Sequence, residues 1–122
     1  MNWTATAAIA LALAVSFGAF GAHGLRDSLD AYSLGVYEKA VFYHFIHALG
    51  ILAIPILIRS GLIGEKAGRW AAWSLLTGIV FFSGSLYALA ITGVSTLGAI
   101  TPIGGVAFIV GWVILAVCAL RA

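Results

Sequence analysis

Apolar positions run along this chain in four long blocks, and the charged residues fall almost entirely between them. Residues 70–120 contain no Lys, Arg, Asp, Glu or His. A spanning helix needs about 20 apolar residues to cross the hydrocarbon core of a bilayer. This stretch therefore reads as two spans joined by a short uncharged turn. The same reading along the rest of the chain predicts spans at about 3–22, 40–58, 70–92 and 103–120. Pro102 opens the fourth span, where its missing N–H costs nothing. Pro55 falls inside the second, removes a donor for the Ile51 carbonyl, and predicts a static bend.

The three connections differ. Residues 23–39 are mixed in sign, and Leu25, Leu29, Tyr32 and Val36 recur at helical spacing among Asp27, Asp30 and Ser33. That pattern predicts a short amphipathic helix lying at the membrane surface, with Gly35 turning the chain into the second span. Residues 59–69 carry Arg59, Lys66 and Arg69, whereas residues 93–102 are uncharged and rich in Gly, Ser and Thr.

Composition sharpens this picture. With 122 residues, 63% hydrophobic, 8% charged and a mean hydropathy of +1.14, the chain reads as one all-α membrane domain, residues 1–122. A net charge of +2 is too small for nucleic-acid binding. Cys118 is the sole cysteine and lies in an apolar run, where a packed thiol is expected. No basic residue precedes the first apolar block, so it reads as a retained span rather than a cleaved signal. Both termini and the second connection share one side, which holds Arg59, Lys66, Arg69 and Arg121 against Arg26 and Lys39 on the other. The excess places both termini in the cytoplasm. Trp3, Trp70 and Trp73 then belong to an inner aromatic belt, and Tyr32, Tyr37 and Tyr87 lie towards the outer interface.

Small residues mark the helix contacts. Thr6, Ala10, Ala14, Gly18 and Ala22 step by four along span 1; Gly84, Ala88 and Thr92 do so in span 3. Gly104, Ala107, Gly111 and Cys118 form a comparable series in span 4. Such stripes let helix backbones approach closely, within a bundle or across an oligomer seam.

The candidate chemistry is sparse. His44 and His47 are three residues apart on span 2, and His23 ends span 1. Together they make a conceivable metal set, yet no Cys or carboxylate stands in register, and no metal or other cofactor is expected. His47 is expected about 9 Å inside the hydrocarbon, where an ionisable group is a functional candidate by default. A structural bond to a backbone carbonyl or hydroxyl is the expected use of its ring. Ser83-Gly84-Ser85 in span 3 brings hydroxyls near mid-depth, but no oxyanion hole accompanies them. The glycines of Thr101-Pro102-Ile103-Gly104-Gly105 are expected to serve close packing rather than an anion site.

Gly18-Ala19-Phe20-Gly21-Ala22-His23, Tyr43 with His47, Phe82-Ser83-Gly84-Ser85-Leu86-Tyr87, Thr92-Gly93, Thr101-Pro102-Ile103-Gly104-Gly105 and Gly111-Trp112 resemble, in order and spacing, the "domain of unknown function 423" family. The resemblance implies a small four-helix protein of the bacterial inner membrane with no established activity. It places His23 and His47 on motif positions but not His44, and groups His23, His47, Ser83, Ser85 and Thr101 as one polar cluster or ligand site. A non-enzymatic protein binding membrane lipids or a membrane partner, and forming homo-oligomers, is the expected function. The alternative is a small oligomeric transporter or channel that handles protons, ions or a solute through the His/Ser cluster.

Overall fold

The computed structural model describes residues 1–121. Four helices, each long and apolar enough to cross a membrane, make up the fold: span 1 (Trp3–Leu25), span 2 (Ala31–Arg59), span 3 (Glu65–Thr92) and span 4 (Ser95–Arg121). Each exceeds its sequence-predicted length by several residues, because polar flanks continue the helices beyond the apolar blocks.

The helix ends follow from local chemistry. Asn2 accepts from Ala5 N–H at 3.0 Å and starts span 1. Asp30 accepts from Ser33 N–H at 2.7 Å and starts span 2. Gly61, at φ 81°, closes span 2 with the paired bonds Leu62 N–H to Leu57 O and Gly61 N–H to Ile58 O. Gly93, at φ 71°, closes span 3.

The first connection differs from its expectation. Residues 26–30 form a turn, and residues 31–39 are the opening turns of span 2 rather than a separate surface helix. The Asp30 cap starts the helix, and Gly35 does not interrupt it, because each following amide finds its carbonyl four residues back. The amphipathic pattern is nevertheless used: Leu25, Leu29 and Val36 pack about Tyr37, while Tyr32 is 72% exposed. Pro55 likewise stays within the uninterrupted span 2.

Two widened turns interrupt the regular helix, at Gly21–Leu25 and at Ile79–Ser83. Such π-turns add a residue and rotate whatever follows. In span 3 the Gly84 N–H bonds to Ile79 O, five residues back. The turn presents the Phe81–Phe82 backbone to Gly104 of span 4, where a methyl group would collide with it. It also directs Ser83 to span 2.

Small residues carry the core, as expected, but not along a strict four-residue step. In span 1 the buried positions are Trp3, Ala7, Ala10, Ala14, Gly21 and Leu25. Thr6 is only partly buried and Ala22 is exposed. A step of four overshoots a 3.6-residue turn by about 40°, so the stripe winds off the contact, whereas a seven-residue repeat drifts by only about 20°. In span 4 the buried positions are Gly104, Phe108 and Gly111, with Ala107 and Cys118 partly covered. In span 3, Gly68, Ala71, Ala72, Leu75 and Gly78 replace the expected Gly84 series. Trp3 and Trp73 meet edge to face at 5.2 Å. Tyr37 and Tyr87 do not stand in a belt: Tyr37 is 2% exposed, and the two rings pack 5.2 Å apart inside the bundle.

Candidate functional site

The polar side chains expected to form one cluster occupy separate stations. Ser85 and Thr101 are brought together, with hydroxyls 2.6 Å apart across spans 3 and 4. Ser85 also donates to the Phe82 carbonyl at 3.0 Å, within the widened turn. Its one proton being spent there, Thr101 is the donor in the pair. Ser83, fully buried, donates to the Ala40 carbonyl of span 2 at 2.9 Å. His23 is exposed at the end of span 1 and takes no part in these contacts.

His47 uses its ring twice. Nδ1 lies 2.7 Å from the Tyr43 carbonyl one turn back. A carbonyl only accepts, so Nδ1 carries the proton and Nε2 is bare in the neutral ring. The ring lies flat on Phe108, centroids 3.5 Å apart and planes 13° from parallel, with Trp112 beyond it. This seats span 2 against span 4. Gly50, one turn further along span 2, has room for no side chain because Trp112 and Leu75 fill that space.

His44 faces elsewhere. Its Nδ1 lies 2.9 Å from the Tyr87 hydroxyl. Phe17 packs on Tyr87 at 4.9 Å, and Tyr37 donates its hydroxyl to the Phe17 carbonyl at 2.5 Å. Phe17, Tyr37, His44 and Tyr87 thus tie spans 1, 2 and 3 together. Sequence reasoning misses the His44–Tyr87 pair; the only sign of it is that both residues lie in the same half of neighbouring antiparallel spans.

The chemistry open to these groups is narrow. Among the described residues no three His, Cys, Asp or Glu side chains converge on a metal position. Every fully buried side-chain nitrogen or oxygen among them has a hydrogen-bond partner. Gly104 is accounted for by close packing on the Phe81–Phe82 backbone, whereas a methyl on Gly105 would make only an ordinary contact with the Phe82 ring.

The open spaces lie instead on the outer faces. The larger is a groove of about 640 Å³ between spans 1 and 2, floored by Gly18 and Gly21 and walled by Val41, Phe42, Phe45 and Ile46. Arg26 and Glu38, both exposed, stand at its end beside the first connection. A second groove of about 410 Å³ runs between spans 1 and 3, with His44 and Tyr87 on its wall.

Comparison with known proteins agrees with this architecture. The family model described as protein of unknown function (DUF423) matches residues 17–105. A UPF0382 membrane protein of Staphylococcus epidermidis is 51% identical over 109 residues, covering 89% of this chain and 87% of that protein. UPF0382 membrane protein SSP2132 of Staphylococcus saprophyticus is 54% identical over 105 residues, 86% of this chain and 85% of that one. UPF0382 membrane protein YwdK of Bacillus subtilis is 47% identical over 114 residues, 93% and 92% of the two chains. No solved structure matches. A membrane bundle whose matched region carries Ser83, Ser85, His47 and Thr101, with relatives of this identity along nearly its whole length, belongs to the DUF423 family of membrane proteins.

Proposed function

We propose that this chain is a non-enzymatic protein of the cytoplasmic membrane that binds lipid along its outer grooves. The observation that carries this reading is the division of labour between inside and outside. The buried serine hydroxyls and one nitrogen of each buried imidazole are bonded within the bundle, at Ala40, Tyr43, Phe82, Tyr87 and Thr101. The two grooves along span 1 are lined mainly by apolar side chains and face outwards. A transport path through the His/Ser cluster would need those groups to face a shared wet cavity, whereas they face carbonyls and aromatic rings. Both termini on the cytoplasmic side accord with the four basic residues there; a reporter fused to either end reads this directly.

The test is native mass spectrometry of the protein released from a nanodisc, which reads copy number and retained lipid together. Stoichiometric phospholipid adducts are the expected result. A chain that emerges free of lipid from every membrane tried contradicts the lipid reading and leaves a protein partner as the ligand class.

A further inference from the structure

We infer that the groove between spans 1 and 2 holds a phospholipid with a phosphoethanolamine headgroup, its phosphate on Arg26 and its ammonium on Glu38. This rests on the lipid-binding reading above and adds the ligand's chemistry. Three observations carry it. The groove faces the bilayer, since Phe42 is 60% and Ile46 39% exposed on its wall. It runs along most of one leaflet: from Glu38 to Ile46 span 2 rises about 12 Å at 1.5 Å per residue. Half of the hydrocarbon core is about 15 Å.

The third observation is charge. Arg26 and Glu38 are the only charged residues lining the groove, they are opposite in sign, and both stand at the end beside the first connection, where headgroups lie. A guanidinium meets phosphate oxygens through a fork of N–H donors. A carboxylate needs a cation with N–H bonds of its own, and a primary ammonium supplies three. A choline headgroup has no N–H, and a phosphoglycerol headgroup has no cation. The pair therefore favours ethanolamine over both. Gly18 leaves the floor without a side chain, and a methyl there would touch Val41 at 3.4 Å and Phe45 at 4.0 Å.

The test uses full-length protein in detergent, offered dioleoyl-phosphatidylethanolamine, -phosphatidylcholine and -phosphatidylglycerol at equal concentration, with adducts read by native mass spectrometry. Wild type is expected to retain the ethanolamine lipid about threefold over the others, the scale of one exposed charge pair. Glu38→Gln removes that preference while keeping adducts. Arg26→Gln weakens all three lipids, and Gly18→Leu, which fills the groove, removes them; circular dichroism verifies that each variant is folded. Equal retention of the three lipids by wild type, or an ethanolamine preference that survives Glu38→Gln, overturns the headgroup assignment while the lipid reading stands. Absence of any phospholipid adduct overturns both, and a lipid-free dimer assigns the groove to a second copy.

Discussion

The Ser83 hydroxyl donates to the Ala40 carbonyl at 2.9 Å, with the serine wholly buried between spans 2 and 3. Inside a membrane bundle such a bond has little competition from water, and its loss leaves a carbonyl against an apolar gap. Measured interhelical bonds of this kind average about 0.6 kcal/mol and reach about 1.7. Ser83→Ala is expected to destabilise the detergent-solubilised bundle by about 1 kcal/mol, read as a lower melting temperature. An unchanged melt would remove this bond from the account.

Gly104 and Gly105 are adjacent in sequence and unlike in space. A methyl on Gly104 meets the Phe82 amide nitrogen and sits 2.7 Å from the Phe81 carbonyl carbon, backbone that cannot yield. A methyl on Gly105 sits 3.8 Å from the Phe82 ring, an ordinary contact. Gly104→Ala is expected to cost about 1–3 kcal/mol by forcing spans 3 and 4 apart, while Gly105→Ala is close to neutral. Equal melts for the two variants would contradict the close approach.

His47 is expected to behave as a packing residue. His47→Ala removes both the bond to Tyr43 and the plate lying on Phe108. A loss of about 2 kcal/mol or more is expected, because a cavity opens beside an aromatic cluster. His47→Phe, which keeps the stack, recovers part of it. A His47→Ala protein that melts like wild type would reopen the functional reading of this side chain.

The start of span 2 responds to acid. The Ser33 amide beside Asp30, then the Ser33 hydroxyl, hold its carboxyl below the ordinary value of 3.8. A lowered native pKa means that the carboxylate cap stabilises fully above pH 3.8 and less as pH falls below it towards the native value. The protection factors of the Ser33 and Leu34 amides, which correct for intrinsic exchange at each pH, are expected to fall below that pH in wild type. In Asp30→Asn, which caps without a charge, those protection factors should not change with acid; identical acid profiles in the two proteins would contradict the assignment.

The spans and the role of glycine were legible in the sequence, because hydrocarbon thickness and backbone approach act through composition. The meeting of Trp3 with Trp73 also follows from placing both at one interface. The precise contact face was less legible: Thr6 and Ala22 share the four-residue step of Ala10 and Ala14 but wind away from the core. The joined polar cluster of His23, His47, Ser83, Ser85 and Thr101 was legible only as a Ser85–Thr101 pair. Three of its hydrogen bonds end on the carbonyls of Ala40, Tyr43 and Phe82, and every residue has a carbonyl, so no side-chain pattern marks which one is used. The widened turn at Ile79–Ser83, which sets the direction of Ser83, likewise has no residue that announces it.

Buried polar side chains hold fixed bonds inside the bundle, His47 to the Tyr43 carbonyl among them. Nitrogen-15 NMR of ring-labelled histidine in nanodiscs at pH 7 tests this most directly, with His47 assigned by comparison with His47→Phe. The expected result is a His47 ring protonated at Nδ1, as the Tyr43 carbonyl requires, and bare at Nε2, as its stacking on Phe108 inside the apolar bundle favours. An Nε2-protonated ring, or an imidazolium, would contradict it and return His47 to the candidates for proton handling.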